Sequence, residues 1–231
     1  MKTIIIMPAY NAERTLKTTI DNLPAVHDEI IVCDDASADN TYDLAEKLGI
    51  IALRHPENRG YGGNQKTLIS EALKRKADII VMVHPDNQYD TSCLPKMIEM
   101  LKSNPRIGLV IGSRMENALR NDMPLWKYVS NHFLTFFQNI VFRTKLSEFH
   151  SGLRAYNATT LSSMPYGSFS EGFVFDSEII AWLVGHQFKV DEVGTNCYYT
   201  KESSSLGALG SMRYGWLTLG TLVKYLLGDY H

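Results

Sequence analysis

The chain has 231 residues, a formal net charge of −2, and 45% hydrophobic and 21% charged residues. That is enough chain to bury one large core, and the near-neutral charge excludes the strongly basic surface expected of a nucleic-acid-binding protein. The three cysteines, Cys33, Cys93 and Cys197, lack metal-ligand spacing and read as reduced thiols, and no run reaches the roughly 20 apolar residues that span a bilayer.

In chain order, residues 3–7 (TIIIM) read as a buried strand. The apolar run stops at Pro8, too early for the core of a secretory signal. Asn11 is expected to cap a helix through about residue 22. Residues 29–33 (EIIVC) form the second strand, and a polar turn follows at 34–41. Asp39 or Asn40 then caps a helix ending near Gly49. The third strand is 50–54, and the glycine-rich loop ENRGYGGN (57–64) leads to a helix from about 65 to 76. Residues 78–84 (DIIVMVH) are the fourth strand. Continuous apolar strands joined by helical crossovers predict an α/β fold, a mostly parallel central sheet with helices on both faces.

The second half is less regular. A helix is expected from Thr91 to about Lys102, a strand at 107–114, and an aromatic-rich helix at 124–142. A short strand and turn at 151–157, a helix at 172–186 and a last strand at 188–194 follow. A C-terminal helical segment is expected from 206, despite glycines at 207, 210, 215 and 220 that weaken it.

Ligands of such sheets bind at the carboxyl ends of the strands. The informative residues are therefore those just after each strand. After the fourth comes HPDNQYD, where His84, Asp86 and Gln88 share a face if the extended geometry persists past Pro85. Imidazole, carboxylate and amide oxygen would make a partial shell for a divalent cation, completed by diphosphate oxygens and water. After the first strand, Tyr10 offers an aromatic face for a nucleobase, and the expected helix start offers backbone N–H groups. Asp35, after the second strand, can accept from a base or a ribose hydroxyl. Each of these residues alone is explained as a turn or cap. Their collection at one sheet edge is what points to a ligand. The 57–64 glycines lack the G-K-[ST] ending of a phosphate loop, so they read as permitting close backbone approach.

The segments PAYNAERTL, IVCDDASADNT, ENRGYGGNQKTLI, HPDNQYD and SGLRAY, in this order and spacing, resemble family 2 glycosyltransferases of the GT-A (Rossmann-like) fold. The likeness spans residues 1–205, with a nucleotide-sugar half to about 90 and an acceptor half after it. It is nearest the polyprenyl-phosphate branch, which includes dolichol-phosphate mannose synthase. The resemblance implies transfer from a nucleotide-sugar donor with inversion and a divalent cation, Mn2+ or Mg2+. It implies that Pro8, Tyr10, Glu13 and Asp35, with Asn11 and Lys66 beside them, hold the donor, and that Lys201 closes over the diphosphate from a polar flap. His84, Asp86 and Gln88 match the family's metal-binding D-x-D-x-Q segment, with histidine at the first acidic position; imidazole would tilt the site toward manganese. Asp86 is the principal expected ligand.

The acceptor decides whether a base is needed. For a hydroxyl acceptor the resemblance implies Asp176 as base, with Glu178 second. A polyprenyl phosphate is already an anion, and Arg114 and Lys127 match basic acceptor contacts in that branch; Arg154 is a third, or else a structural partner for a carboxylate. Glu148 receives no role, and His150 is the one remaining histidine expected near the acceptor. The 124–142 helix and the C-terminal segment read either as ordinary packing helices, the latter also against a second subunit in a homo-oligomer, or as surfaces touching a membrane. The expectation is a cytoplasmic-facing, peripheral enzyme acting on polyprenyl phosphate. The competing readings are transfer to a glycan hydroxyl, and a nucleotide-sugar-binding protein without turnover. A sugar-1-phosphate nucleotidyltransferase would carry glycines after the first strand, which PAYNAERTL lacks.

Overall fold

The computed structural model describes residues 1–199 and 207–231. In chain order the elements are β1 (Thr3–Ala9), α1 (Leu16–Asp21), β2 (Glu29–Asp34), α2 (Thr41–Lys47), β3 (Ile51–Arg54), α3 (Gly60–Lys74), β4 (Ile79–Met82), α4 (Leu94–Ser103), β5 (Ile107–Ser113), α5 (Leu125–Phe142), β6 (Arg154–Asn157), α6 (Ala158–Ser163), α7 (Phe175–Gly185), β7 (Lys189–Gly194) and α8 (Ala208–Leu227). The strands form one sheet in the order β3-β2-β1-β4-β6-β5-β7.

Every residue of β1 is buried, because its two faces feed two cores. Ile4 and Ile6 pack with Leu68 and Ile69 of α3 and Ile179 and Ile180 of α7. Ile5, Met7 and Ala9 pack on the opposite face with Leu16, Ala45 and the α4 residues Leu94, Met97 and Leu101. The period of two in the strand thus sends alternate side chains to α3 and α7 on one side and to α1, α2 and α4 on the other. The three-layer arrangement matches the expected α/β architecture.

Two topological features place the site. The strand order changes direction between β1, which pairs with β2, and β4, so a crevice opens at their carboxyl ends. β6 runs antiparallel between β4 and β5, with Arg154 opposite both Met82 and Ile111. It therefore presents its entry at the same edge where β4 and β5 present their exits. That brings the 151–154 turn beside His84 and Arg114.

Three local expectations are corrected. Asn11 does not cap a helix: it sits at φ 52, and α1 starts only at Leu16 after Thr15. The backbone N–H groups of Asn11, Ala12 and Glu13 donate to Ser37 Oγ, Thr41 Oγ1 and Asp39 Oδ2 at 2.8, 2.8 and 3.1 Å, so they offer no anion site. The helix expected from 65 begins at Gly60, so the glycine-rich stretch is its first turn. The reason is tertiary. Gly62 lies against the backbone of residues 170–172, where a Cβ would come within 2.9 Å of Gly172 O. Close approach, not phosphate binding, accounts for that glycine.

Candidate active site

A cavity of about 550 Å³ opens at the carboxyl ends of β1 and β4. Of the residues expected at the site, Pro8, Tyr10, Asn11, Asp35, His84, Asp86, Gln88, Arg114, Lys127 and Asp176 line it. Glu13, Lys66 and Arg154 do not, and Lys201 lies outside the described residues.

Glu178, the second base candidate, is also off the cavity wall, accepting from Ser170 N at 2.6 Å and Tyr230 Oη at 3.3 Å, and the other three are structural ties. Glu13 accepts from Asn40 N and Nδ2 at 3.2 and 2.9 Å, joining the chain after β1 to the entry of α2. Lys66, mostly buried, donates to Phe169 O and pairs with Glu171 at 2.6 Å. Arg154 is fully buried and donates to Ser151 O and Phe149 O at 2.9 and 2.8 Å. Asp35 lines the cavity but is already committed. Its oxygens accept from Arg59 N and Gly60 N at 2.9 and 3.0 Å, and His55 Nδ1 lies 2.6 Å away. A carboxylate at the first turn of α3 satisfies otherwise unpaired N–H groups and sits well with the helix dipole.

The strand geometry of β4 does not persist past Pro85. β4 ends at Met82 and the chain turns, with Asn87 at φ 53, so His84, Asp86 and Gln88 do not share an extended face. The His84 ring lies parallel to Tyr61 with centroids 5.5 Å apart and Nε2 3.4 Å from the Tyr61 hydroxyl. Gly152 stands where any side chain would collide with that imidazole. Burial pushes the His84 pKa down, against the pull of Asp86 and Asp176. Asp86 faces the cavity and accepts from Gln88 N at 3.2 Å. The Gln88 side chain is buried, its Oε1 3.8 Å from Cys197 Sγ and its Nε2 without a hydrogen-bond partner among the described residues. Among the described residues no three His, Cys, Asp or Glu side chains gather into a metal cage. One cavity-facing carboxylate nevertheless fits a hard cation that takes most of its oxygens from substrate phosphates and water.

Asp176 is buried and held on both oxygens. It accepts from Tyr61 Oη at 2.9 Å and Gln65 Nε2 at 3.0 Å, and Arg154 lies 3.4 Å away. The far end of the cavity is cationic. Arg114 donates through Nε and its backbone N to the two oxygens of Glu148, at 2.7 and 3.0 Å, and through Nη2 to His150 O at 3.1 Å. Glu148 is completely buried and also accepts from Asn131 Nδ2 at 2.7 Å. Burial opposes the Arg114 charge, but the Glu148 carboxylate outweighs it and the pKa stands well above the ordinary arginine value. Lys127 Nζ lies 5.5 and 5.6 Å from the ring centroids of Trp126 and Tyr199. Burial, then Arg114, lowers its pKa.

His150 completes this end. Burial, and then Arg114 and Arg154, pushes its pKa down to about 3, so the ring is neutral. Its Nδ1 is 2.7 Å from Tyr214 Oη of α8, while its Nε2 and the Tyr199 hydroxyl are buried without hydrogen-bond partners among the described residues. Sequence reasoning gave no role to Glu148 and did not single out Tyr61, Tyr199 or Tyr214. Only the neighbourhood of the S-G-x-R turn pointed to His150. The others are isolated residues whose partners are 17 to 115 positions away along the chain.

The fold is shared with glucosyl-3-phosphoglycerate synthase of Mycobacterium tuberculosis, solved with Mn2+ and UDP-glucose. The TM-score is 0.74 at 18% identity, over 97% of this chain and 78% of that one, which makes it the GT-A fold. A Methanocaldococcus jannaschii protein of uncharacterized function is 33% identical over 88% of this chain and 84% of its own length. The UDP-N-acetylglucosamine–dolichyl-phosphate N-acetylglucosaminyltransferase of Methanococcus voltae is 29% identical over 88% of each. Residues 4–163, which carry β1 through β6 and with them most of the cavity wall, match the family model of glycosyl transferase family 2, and the chain belongs to that family.

Proposed function

We propose that this family 2 enzyme moves a hexose from a nucleoside-diphosphate sugar to the phosphate of a polyprenyl phosphate, with inversion at the anomeric carbon. The observation that carries the reading is the cationic end of the cavity. Arg114 and Lys127 stand there with two buried groups that have no hydrogen-bond partner among the described residues, His150 Nε2 and the Tyr199 hydroxyl, ready for an anion. The side chain that a hydroxyl acceptor would need as base, Asp176, is held by Arg154, Tyr61 and Gln65. A relative that acts on dolichyl phosphate supports the same choice.

In this mechanism an ionised acceptor oxygen forms its bond to the anomeric carbon as the bond from that carbon to the diphosphate oxygen breaks. The electron pair leaves with the nucleoside diphosphate. The acceptor oxygen carries no proton, so no base is required. Arg114 and Lys127 orient the acceptor phosphate, Tyr10 at the cavity mouth covers the nucleoside, and Asp86 faces the diphosphate. A divalent cation held by Asp86 and the diphosphate would supply Lewis-acid neutralisation of the leaving group.

The lipid would lie on α5 and α8, which pack together. On α5, Trp126, Val129, Phe133, Phe136 and Ile140 are exposed; on α8, Met212, Trp216, Val223 and Leu227 are. The exposed cations Arg143, Lys145, Arg213 and Lys224 suit an anionic bilayer surface. Trp126 and Lys127 join this surface to the cavity wall. No helix among the described residues is long and apolar enough to cross a membrane, and we assign a peripheral position at its face.

The test is transfer by the purified chain from a panel of UDP- and GDP-sugars, with Mn2+, to undecaprenyl phosphate, undecaprenol and a glycan. Transfer to the phosphate alone, with the anomeric configuration reversed by NMR, is expected. Transfer to undecaprenol or the glycan and none to the phosphate would overturn the reading.

A further inference from the structure

The cavity divides by chemistry. Its lining includes the carboxylate of Asp86 and the cations Arg114 and Lys127. It also includes three rings in sequence, Phe173, Tyr61 and His84. Phe173 stacks on Tyr61 with centroids 4.7 Å apart and 15° between planes; Tyr61 stacks on His84 at 5.5 Å and 2°. All three line the cavity, and Phe173 remains 44% exposed.

A single exposed phenylalanine is ordinary. This one is unusual in how firmly it is held. The 169–173 segment before α7 is tied from several sides: Glu171 O accepts from Gly62 N and Gly63 N at 2.7 and 3.2 Å, and Ser170 N donates to Glu178 Oε2 at 2.6 Å. Lys66 holds Phe169 O and the Glu171 carboxylate. Beneath, the Tyr61 hydroxyl is fixed to Asp176. An apolar ring stacked on a tied neighbour, carried by an anchored segment and presented at a cavity wall, is a pre-organised contact surface.

We infer that Phe173, backed by Tyr61 and His84, is the platform on which the neutral pyranose ring of the donor lies, and that it is a specificity-determining residue for the sugar. This rests on the donor-site reading above and deepens it. The C–H face of a pyranose carries slight positive charge and packs on the negative face of an aromatic ring. The Phe173 ring offers a diphosphate neither a positive charge nor a hydrogen-bond donor. The anionic acceptor has its own cations at Arg114 and Lys127. The apolar face of Phe173 is left for the uncharged part of the substrate.

The experiment compares affinities of wild type, Phe173→Ala and Phe173→Trp by calorimetry with Mn2+, for UDP against UDP-N-acetylglucosamine and for GDP against GDP-mannose. The Ala variant should weaken the recognised sugar nucleotide by about three- to tenfold, the scale of one aromatic stacking contact, and its parent nucleotide by less than about twofold. The Trp variant should restore the difference. Equal weakening of nucleotide and sugar nucleotide, or no weakening of either, overturns the platform while the donor site stands. Failure of wild type to bind either sugar nucleotide overturns the donor reading itself, and the platform with it. Phe173 is partly exposed and its loop is anchored by other groups, so both variants should fold; an unchanged melting curve checks this.

Discussion

Glu148 shows what a single side chain does in this molecule. Both of its oxygens are used, on Arg114 and Asn131, and no part of it meets solvent. Glu148→Gln keeps the shape but removes the charge opposite Arg114. Charge-assisted hydrogen bonds of this kind contribute about 1.5–3 kcal/mol, so the KM for undecaprenyl phosphate should rise by about tenfold or more. The donor KM should change little, and steady-state kinetics in both substrates read the split. Asp176→Asn leaves the fully buried Arg154 without its counter-charge, and stability should fall by about 3 kcal/mol in denaturant titrations. Transfer to a phosphate acceptor should survive within about tenfold, whereas a hydroxyl acceptor would lose nearly all turnover.

His150 gives a pH dependence whose sign follows from its environment. Its folded pKa of about 3 lies below the ordinary histidine value of 6.5. Between those values the unfolded chain binds the proton and the folded chain does not, so stability rises with pH. The contribution is complete above about pH 6.5 and is lost as pH falls toward 3. The chain should therefore lose stability from pH 7 to 5. His150→Gln should lose about 1–2 kcal/mol less over that interval, measured by denaturation at each pH.

At the scale of elements, the first turn of α3 and the 169–173 segment form one joint. Gly62→Ala puts a Cβ against backbone that cannot move aside, and overpacking of this kind costs about 1–3 kcal/mol. A denaturant midpoint shift reads it. If the joint also seats Phe173, sugar-nucleotide affinity should fall in the same variant. α5 and α8 present the other element-scale question. Phe133→Glu with Trp216→Glu should abolish co-sedimentation with vesicles containing anionic phospholipid and leave the melting temperature unchanged, since both side chains are exposed. A wild type that ignores vesicles and forms a concentration-dependent dimer by light scattering would assign the surface to a second copy of the chain.

At the scale of the whole molecule, the sheet order brings segments from most of the chain to one edge. Residues of the cavity wall range from Pro8 to Tyr214. A chelator should abolish transfer, with Mn2+ or Mg2+ restoring it, and Asp86→Asn should lower turnover by about a hundredfold or more at any metal concentration. α8 belongs to the same construction. Tyr225 packs edge-on to Phe142 at 5.0 Å, Tyr230 donates to Glu178 at 3.3 Å, and Tyr214 meets His150. The C-terminal helix thus lines the cavity beside His150 while its other face stays apolar and exposed.

Local pattern was enough for the strands, the parallel character of the sheet and the edge on which to look. Runs such as TIIIM and DIIVM are period-independent signals of burial on both faces, and the polar residues after them have few other reasons to cluster. The resemblance carried by five short segments was enough for the family. Tertiary packing alone decided which of those polar residues face the cavity. Glu13, Lys66 and Arg154 have the chemistry of ligand-binding groups but are consumed by Asn40, Glu171 and the carbonyls of Phe149 and Ser151. His84 was aimed at Tyr61 rather than along an extended strand, because the chain turns at Pro85. The start of α3 was moved to Gly60 by contact with a segment more than a hundred residues away. A charged or polar side chain binds whatever partner the fold brings within about 3 Å, and that partner is set by strand order and crossovers, not by its neighbours in the chain.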